Sequence, residues 1–524
     1  MGYMKVCILT AGKGTRMGPV DKNINKALLP IKNKAIISNI IEFFSPDDEF
    51  VIGLGYYGQQ VRDYLTVAYP DRLFHFVNIE NYDGPGSGPG FSLLSCKKHL
   101  MEPFYFIPCD CLFDGDFQSV PNGNWVGAKK VDSSLSQNYC NFLVRDSIVV
   151  NIRDKEKCDD QYLAFTGFLY VRDYDIFWKS LENTSVVQGE HQISNGLLGL
   201  IEGPGLFAVE MNWTDLGDLQ KYLDEKKKES EYNFEKNDEF IYFVNNQVIK
   251  FFADKKMVSD RVKKSRQKSE IFPKVTGRGE QFYSYPYFNG NTFYSCGDVK
   301  LFKKILSWLD KSVWITKKVD NKKMESLCKK FYFEKTMSRL KLFREKNPDY
   351  VYPTKINGQN ISVFEKLIEN IPWGKLYSGI PTFIHGDLQF DNILYNEEKD
   401  KFLLIDWRQD FAGETEFGDL NYDLAKLLGG IFINYDYIKK GLFSYSEKNG
   451  EKQFDFAKRL STKEYEKIFQ EYLISKNIDI EKINLLTGII FLNMAPLHHE
   501  PFNFILFALG TQIIHNSINS GHQN

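Results

Sequence analysis

The chain has 524 residues, more than one hydrophobic core usually supports, so roughly two to four domains are expected. Hydrophobic residues make up 43% of it and charged residues 26%, which is ordinary for a soluble globular protein. A formal net charge of -2 excludes a general electrostatic attraction to nucleic acid or membranes, so we expect neither as a partner. We find no run of about 18 apolar residues and no signal-peptide pattern, and therefore expect a cytoplasmic protein.

The chain order predicts an α/β region followed by a more helical one. Up to about residue 225, short apolar runs alternate with amphipathic stretches, the pattern of a mostly parallel sheet covered by helices. The charged segment 223–238 predicts the end of a helix and then a linker. In residues 240–252, two apolar runs flank Asn245-Asn246 and predict a β-hairpin. Beyond residue 300 we expect mainly helices, with one strand at FLLID.

The cysteines and histidines do not form a metal or disulfide pattern. The 8 cysteines lack CxxC spacing, which predicts reduced, mostly buried thiols. Cys109 and Cys111 flank Asp110 without further ligands nearby, so we do not expect zinc there. The run His498 to Glu500 is predicted to be a solvated or substrate-pocket turn, because three adjacent helical residues cannot all face one ion.

A glycine-rich turn follows the first predicted strand, at the edge where open α/β sheets bind ligands. Glycines allow backbone N–H groups to approach phosphates closely, and nearby cations neutralise a departing diphosphate. A dinucleotide-binding turn would read GxGxxG, whereas here the third glycine is displaced and the next strand lacks a terminal acid, which disfavours NAD. The residues expected to bind the nucleotide or its phosphates are Gly12, Gly14, Thr15, Arg16 and Lys26.

The wider pattern, GKGTRM followed by NKALLPI, resembles the G-x-G-T-R…P-K-x-L-L-P signature of the nucleotidyltransferases that make sugar nucleotides and CDP-choline. Asn25 stands where that family has proline. The segments FIPCD, FTGFLYV and WTDLGDLQKY agree with family motifs in order and spacing. The resemblance implies a Rossmann-like α/β nucleotidyltransferase domain in residues 1–230.

The same resemblance implies the catalytic roles. Asp110 and Asp215 would be the Mg²⁺ ligands, since carboxylates suit a hard cation. The attacking phosphate of a phosphorylated substrate is already ionised, so positioning and charge neutralisation replace a general base. Arg16 and Lys26 would stabilise the α-phosphate and diphosphate. Lys155 matches the lysine that contacts the acceptor phosphate, with Arg153 and Lys157 as neighbouring alternatives.

The loop at residues 81–94 occupies the place where this family recognises its nucleobase, and Gly86 and Ser87 are its predicted nucleotide contacts. The SLL sequence that follows resembles the branch acting on choline phosphate, whereas W-x-D-x-G resembles the sugar-phosphate branch. We therefore favour CTP over UTP or GTP as the nucleotide.

A second motif lies near residue 400. An H-x-D-x-x-x-x-N loop followed by a strand-borne aspartate is the kinase arrangement, in which one carboxylate orients the substrate hydroxyl and accepts its proton while an amide and a second carboxylate hold Mg²⁺. We assign Asp387 as the base, and Asn392 and Asp406 as metal ligands.

HGD and DW at these positions resemble the aminoglycoside phosphotransferase and choline kinase family. This resemblance covers about 240–430 and implies a protein-kinase-like, two-lobed α+β domain at 238–524, with an N-lobe at about 238–295 and a C-lobe at about 296–524. ATP is then the phosphate donor. The residues implied to bind it are Lys250 on its phosphates and, in the hinge that receives adenine, Tyr285 and Tyr287.

Two further residue sets in this region have structural predictions. The helix partner of Lys250 is left open between Asp260 and Glu270. Asp419 and Asp423, in the segment GDLNYDLAKL, are expected to brace the catalytic loop rather than to do chemistry.

The combined prediction is a bifunctional enzyme that phosphorylates a small sugar or polyol with ATP and then joins the phosphate to an NMP, giving an activated precursor for surface polysaccharide. One alternative is a choline or ethanolamine kinase joined to a phosphocholine cytidylyltransferase. Another class is a nucleotide-sensing protein with one inactive domain. The partners are small molecules and Mg²⁺, and the oligomeric state is left open.

Overall fold

The computed structural model describes residues 3–20, 22–114, 120–182, 186–187, 189–227 and 238–520. These residues form two compact units. The first draws on Met1–Glu229, Glu235–Val258 and Thr276–Tyr287, and the second on Ser259–Val275 and Phe288–Asn524. Most of the predicted linker lies outside the described residues, so the boundary at 230–238 stays a prediction.

The first unit contains both long strands and short two-residue pairs. Its strands are β1 (Lys5–Leu9), β2 (Pro30–Ile31), β3 (Lys34–Ala35), β4 (Glu49–Leu54), β5 (Phe74–Asn78), β6 (Phe104–Pro108), β7 (Cys111–Asp114), β8 (Trp125–Lys129), β9 (Cys140–Arg145), β10 (Ile148–Asp154), β11 (Tyr162–Val171), β12 (Val186–Val187), β13 (Glu190–His191), β14 (Phe207–Glu210), β15 (Asn212–Asp215), β16 (Glu239–Val244), β17 (Gln247–Phe252), β18 (Gly277–Arg278) and β19 (Phe282–Pro286). Its helices are α1 (Ile36–Ile41), α2 (Gly58–Ala68), α3 (Pro89–Cys96), α4 (Tyr174–Glu182), α5 (Ser194–Glu202) and α6 (Leu219–Lys227), and the unit boundary falls within α7 (Lys255–Gln267).

A nine-stranded sheet in the order β5-β4-β1-β6-β11-β8-β14-β10-β9 forms the centre of this unit. The neighbours β5, β4, β1 and β6 are parallel, as predicted. The prediction of a mostly parallel sheet is wrong for the remaining strands: β11 runs antiparallel to β6, β8 and β9, and β10 runs antiparallel to β14 and β9, although β8 and β14 are parallel. For β9 and β10 the reason is local, because a tight turn at Asp146 and Ser147, both with positive φ, joins them instead of a crossover helix.

Apolar side chains fill both faces of the nine-stranded sheet. On one face, α1 and α2 pack on a cluster that includes Val6, Ile8 and Phe50. On the other, α3, α4 and α5 cover a second cluster around Phe104 and Trp178. Because each helix covers one face, the carboxyl ends of the parallel strands stay free to present loops.

The predicted hairpin at residues 240–252 is confirmed. Strands β16 and β17 pair antiparallel through a turn at Asn245 and Asn246, whose φ angles of 49° and 57° suit asparagine. With β18 and β19 they form a four-stranded sheet in the order β16-β17-β19-β18. Its apolar side chains join the core around α2, where the rings of Tyr64 and Tyr242 lie 5.0 Å apart.

The second unit is mainly helical, as predicted. Its helices are α8 (Phe293–Cys296), α9 (Val299–Ser312), α10 (Asn321–Cys328), α11 (Lys335–Lys346), α12 (Phe364–Glu369), α13 (Trp373–Tyr377), α14 (Leu420–Phe432), α15 (Tyr435–Lys439), α16 (Thr462–Ser475), α17 (Ile480–Met494) and α18 (Phe502–Ser520), with a π-helical stretch, Lys329–Glu334, between α10 and α11. Its strands are β20 (Asn291–Thr292), β21 (Lys355–Ile356), β22 (Gln359–Asn360), β23 (Pro381–Thr382), β24 (Ile393–Asn396), β25 (Lys401–Leu404), β26 (Gly418–Asp419), β27 (Phe443–Lys448) and β28 (Glu451–Phe456).

Helices α14, α17 and α18 form the apolar centre of this unit, and the predicted strand FLLID is confirmed as β25, which pairs with β24. The window Ile480–Leu497 is long and apolar enough to cross a membrane by length and composition, but 72% of it is buried inside the fold. Such burial is typical of the core helix of a globular unit.

Candidate active sites

The glycine-rich turn of the first unit lies at the carboxyl end of β1, as predicted. Gly14 has a φ of 68° and begins a short 3-10 helix at Thr15, a conformation that favours glycine. A side chain at Gly12 would meet no atom within 4 Å, so the backbone there is open to a ligand. Lys13 forms an ion pair with Asp83, which ties this turn to the predicted nucleobase loop.

Lys26 and Asp110 form an ion pair at the same edge. The Lys26 Nζ lies 2.7 Å from Asp110 Oδ2, and both side chains are largely buried. Burial opposes both charges, but Asp110 raises the pKa of Lys26 and Lys26 lowers that of Asp110, so both groups stay ionised. This edge of the sheet therefore presents a cation that can bind a phosphate and a carboxylate that can bind a metal ion.

Asn25, at the position where the family has proline, has a clear structural role. Its side chain accepts a hydrogen bond from the N–H of Ala27 at 2.9 Å and donates to the carbonyl oxygens of Thr10 and Tyr56. Its own N–H donates to Gln60 Oε1. The buried amide thus fixes the backbone that carries Lys26, a role that the sequence alone did not reveal.

Asp215 joins this cluster from the end of β15. A methyl group added at Gly217 would lie 2.9 Å from Asp215 Oδ1 and 3.4 Å from both Asp110 Oδ2 and Arg16 Nη2. The predicted metal ligands and the predicted phosphate-binding arginine therefore surround one small space, which glycine leaves open. Two carboxylates here fit a Mg²⁺ ion that takes its remaining ligands from phosphate and water.

Lys221, a residue that sequence reasoning missed, holds Asp215 in place. Its Nζ lies 2.5 Å from Asp215 Oδ2, and the Tyr139 hydroxyl donates to the same oxygen at 3.0 Å. Burial works against the charge of Lys221, but its hydrogen bonds to Asp215 and Tyr139 outweigh burial and raise its pKa. The available signal was its place on the helix that directly follows the W-x-D-x-G motif.

The structure places Lys155 at the end of β10, with a φ of 55°. Its Nζ lies 3.3 Å from Glu190 Oε2, and Glu190 also accepts a hydrogen bond from Gln192. Of its neighbours, Arg153 stacks its guanidinium 5.1 Å from the ring centre of Tyr162. The role of Lys155 toward an acceptor phosphate stays a prediction.

The predicted nucleobase loop has the glycine geometry of a tight, defined loop. Gly86 and Gly88 have φ values of 80° and 124°. The Gly86 N–H donates to the carbonyl oxygen of Gly189, and the Ser87 hydroxyl donates to that of Gly84. A Cβ at Gly88 would come within 2.6 Å of the carbonyl oxygen of His191, so only glycine fits there.

The second unit holds the predicted catalytic loop in an ordered arrangement. Asn392 donates from Nδ2 to the Asp387 carbonyl oxygen at 2.8 Å and to Asp387 Oδ2 at 3.4 Å. Lys426, from α14, lies 2.8 Å from Asp387 Oδ1 and was not predicted. The side chain of Asp387 keeps 39% exposure, so its carboxylate is open to a substrate.

His385 positions this loop as a neutral imidazole. Its Nε2 lies 2.8 Å from the Ile405 carbonyl oxygen, and the Asp387 N–H donates to its Nδ1 at 3.2 Å. Only the tautomer with hydrogen on Nε2 satisfies both bonds. Burial lowers the pKa of His385 to about 4, in agreement with that tautomer.

Asp423 braces the predicted catalytic loop, as predicted, whereas Asp419 contacts the segments beside it. Asp423 is fully buried and accepts the N–H groups of His385 and Gly386, each at 2.7 Å. Burial raises the pKa of Asp423 to about 6. Asp419 caps α14 and accepts the Tyr332 hydroxyl at 2.7 Å.

Asp406 follows β25 with a φ of 57°, an unusual conformation for aspartate that is often kept at functional sites. Arg261 Nη1 lies 3.8 Å from its Oδ1. Lys264, on the same helix as Arg261, is buried and donates to the Arg408 carbonyl oxygen at 2.7 Å. Burial lowers the pKa of Lys264 to about 7. Sequence reasoning had considered only acidic residues for this helix.

The predicted ATP contacts lie in the first unit. Lys250 is buried on β17, in register with Ile241 and Tyr283 of the flanking strands. Tyr285 is buried on β19, whereas Tyr287 is 53% exposed and its N–H donates to the Asn246 carbonyl oxygen. Their roles in ATP binding stay predictions.

No group of three or more His, Cys, Asp or Glu residues that could hold a metal ion occurs within the described ranges. A closed protein cage is therefore not formed there. Asp110 and Asp215, which share the space beside Gly217, match the open coordination of Mg²⁺ in phosphate chemistry, and the pairing of Asn392 with Asp406 stays a prediction.

Comparison with known proteins assigns the class of the N-terminal region: residues 6–117 match the family model of the MobA-like NTP transferase domain. The chain thus carries an NTP transferase domain at its N-terminus, on a mixed α/β sheet. This confirms the coarser part of the sequence prediction.

The individual relatives match over the same region. The bifunctional protein GlmU of Methanococcus vannielii is 30% identical over 224 residues, covering 41% of this chain and 52% of that protein. The choline-phosphate cytidylyltransferase of Streptococcus pneumoniae is 31% identical over 118 residues, covering 22% of this chain and 49% of that protein. Among solved structures, a UDP-glucose pyrophosphorylase complexed with UDP-glucose is 19% identical with a TM-score of 0.38, covering 43% of this chain and 98% of that one. The chain spans about half the length of the curated relatives it matches.

Proposed function

We propose that the first unit is an active nucleotidyltransferase that joins an NMP to the phosphate of a small molecule and releases diphosphate. The observation that carries this proposal is the convergence of Asp110, Asp215 and Arg16 around Gly217, next to Lys26. Two carboxylates can hold Mg²⁺, which supplies charge neutralisation on the nucleotide phosphates. The two cations stabilise the charge that develops on the α-phosphate and the leaving diphosphate.

CTP is the nucleotide we favour. The relative from Streptococcus pneumoniae is named a choline-phosphate cytidylyltransferase, and the SLL sequence at the end of the predicted nucleobase loop resembles that branch. The loop is built from glycines with positive φ at Gly86 and Gly88, which bring backbone hydrogen-bonding groups close to a ligand. Such groups can form hydrogen bonds with the polar edge of a nucleobase.

We further propose that the second unit phosphorylates a small hydroxylated molecule with ATP. Asp387 is open to a substrate, and Asn392 and Asp406 have the loop and strand-end positions of kinase metal ligands. Asp387 would orient the substrate hydroxyl and accept its proton, while Asp423 and His385 keep the loop rigid.

Together the two reactions make an NDP-activated building block in the cytoplasm, which suits surface polysaccharide synthesis. Phosphorylation comes first and nucleotidyl transfer second, although the transferase precedes the kinase in the chain. The alternative favoured by a specific observation is the choline pathway, because one relative acts on choline phosphate by name.

Separate variants test the two sites. Asp387→Ala should abolish phosphorylation and leave nucleotidyl transfer to a supplied substrate phosphate, and Asp110→Ala should do the reverse. The assay contains ATP, each of the four NTPs and a panel of sugars, polyols and amino alcohols, and detects the NDP-linked product by mass. Matched controls are Asp47→Ala and Asp349→Ala, which alter exposed aspartates of the two units.

The outcomes separate the possibilities. Loss of both activities in one folded variant would contradict two independent sites. Turnover of choline or ethanolamine in preference to sugars and polyols would establish the alternative acceptor. Nucleotide-dependent thermal shifts without turnover of any acceptor would favour a sensor with an inactive domain.

A further inference from the structure

Four cationic side chains of the second unit gather beside the predicted catalytic base. They come from the start of α11, from the segment after β25 and from α14. The four are Lys335, Arg339, Arg408 and Lys426. Lys426 lies 2.8 Å from Asp387 Oδ1, so one cation is already matched by the base.

The other three cations differ from Lys426 in their ion pairs. Within the part of the chain that the structure describes, no carboxylate makes an ion-pair contact with Lys335, Arg339 or Arg408. Lys335 and Arg408 contact an aromatic ring instead, and the Arg408 Nε also donates to the Asp410 carbonyl oxygen at 3.0 Å. Lys335 Nζ lies 4.2 Å from the ring centre of Phe331, and Arg408 Cζ lies 5.0 Å from the same ring.

Phe331, Phe411 and Tyr422 form an aromatic wall beside these cations. Phe331 lies in the π-helical stretch, which displaces it from a regular helical position, and such stretches are frequent at functional sites. Its ring packs 4.2 Å from Phe411 and 4.8 Å from Tyr422. The wall removes part of the hydration of the cations, and ring faces replace only a fraction of the lost stabilisation.

The pKa of Lys335 shows that this arrangement disfavours its positive charge. Burial lowers the pKa of Lys335, and Arg408, Lys426 and Arg339 lower it further. Asp387 acts in the opposite direction, but less than any of these cations. A half-buried cluster with this excess of positive charge is stabilised by an anion placed between its members.

We propose that these cations form an anion subsite for the acceptor, so that the kinase substrate is a hydroxylated molecule carrying a carboxylate or another acidic group. This inference rests on the proposed kinase function and adds the substrate class. The anionic group would lie on Lys335, Arg339 and Arg408, which leaves the hydroxyl of the same molecule to reach Asp387. A cationic acceptor such as choline would instead be repelled.

The same cations could serve the phosphate of ATP, and the test distinguishes the two sources. The full-length protein is assayed with matched pairs that differ in one carboxylate: glycerol and glycerate, ethanolamine and serine, galactose and galacturonate. KM is measured separately for the acceptor and for ATP. We expect the acidic member of a pair to have at least a 10-fold higher kcat/KM.

Variants then localise the effect. Lys335→Met should raise the acceptor KM by about 10- to 100-fold, the usual loss for one charged hydrogen bond, and leave the KM for ATP within about twofold. Lys335→Arg should retain most of the preference. Lys341→Met, on the same helix with its side chain 80% exposed, is the matched control and should change neither value.

Three results would overturn the inference. If the neutral or cationic member of each pair had the same kcat/KM as its acidic partner, the subsite would be wrong and the kinase proposal would stand. A rise in the KM for ATP alone would assign the cluster to the nucleotide. Acids that neither react nor give a thermal shift dependent on Lys335 would remove the subsite. Such a shift without turnover would keep the subsite and contradict the kinase proposal.

Discussion

At the scale of single residues, the predicted motifs are connected by partners that the motifs do not contain. Asn25 fixes the backbone before Lys26, and Lys221 holds Asp215. Lys426 plays the same part for Asp387. Each of these residues is polar, largely buried or close to a carboxylate, and none has a spacing that marks it in the sequence. Their roles follow from hydrogen bonds made after folding.

His385 gives a prediction of pH dependence. Its pKa falls from an ordinary 6.5 to about 4 on folding, so the unfolded chain binds its proton more readily. The contribution of neutral His385 to the free energy of unfolding is therefore fully present above about pH 6.5. It is lost as the pH falls toward 4, by up to about 3 kcal/mol. In urea unfolding of the second unit, the wild type should lose more stability over this range than His385→Gln.

The pKa values of Asp391 and Asp423 are raised to about 6, so these groups change stability in the opposite direction, and the comparison with His385→Gln is designed to cancel them. An NMR titration measures the ring directly. A His385 pKa at or above 6 would contradict the neutral tautomer.

At the scale of elements, the ends of strands and the beginnings of helices position the predicted catalytic residues and their supports. Parallel strands β1 and β6 bring the glycine-rich turn and Asp110 to one edge, and β15 pairs with β7 so that Asp215 lies opposite Cys111. In the second unit, the N-terminal end of α14 supplies Asp419 and Asp423, which accept hydrogen bonds from the N–H groups of Ile380 and His385, before the predicted catalytic base. Helix α14 therefore acts as the support of the predicted catalytic loop.

Asp423→Asn tests this support. An amide cannot accept the N–H groups of both His385 and Gly386 and the indole N–H of Trp314 without facing one of them with its own NH₂ group. We expect a loss of about 1 to 3 kcal/mol in the second unit. Because the base is then less well positioned, kcat for phosphorylation should fall about 10- to 100-fold. Nucleotidyl transfer should not change.

The matched control is Asp349→Asn, at an exposed position of the same unit. An Asp423→Asn protein with full kcat for phosphorylation would show that α14 does not support the loop.

At the scale of the whole molecule, the compact units and the predicted domains differ in one respect. The sheet of β16, β17, β18 and β19, predicted as the kinase N-lobe, shares a core with the transferase helix α2. Tyr242 shows this most directly, since its hydroxyl donates to the Leu28 carbonyl oxygen at 2.7 Å, two residues beyond Lys26. We therefore expect the stability of the transferase site to depend on strands beyond residue 238.

Tyr242→Ala should therefore lower the temperature at which nucleotidyl transfer is thermally inactivated, although Tyr242 lies in the predicted kinase domain. Loss of a buried aromatic ring costs about 3 to 5 kcal/mol. Tyr242→Phe should cost only about 1 kcal/mol for the lost hydrogen bond. Activity after heating is measured for both reactions.

Phe243→Ala is the control, because this neighbour on the same strand is 40% exposed. If Tyr242→Ala sensitised only phosphorylation to heat, the four strands would not stabilise the transferase.

The sequence by itself determined the positions of the two motifs predicted to bind phosphates, the hairpin at Asn245-Asn246 and the α/β class of the N-terminal region. These depend on local requirements: glycine where φ is positive, asparagine in a tight turn, and an acid at a strand end. Only the tertiary structure decided which strands of the sheet run antiparallel, that Lys26 meets Asp110 84 residues away, and that cations collect beside Asp387. Such contacts join residues far apart in the chain, and their strength depends on burial, which no local pattern specifies.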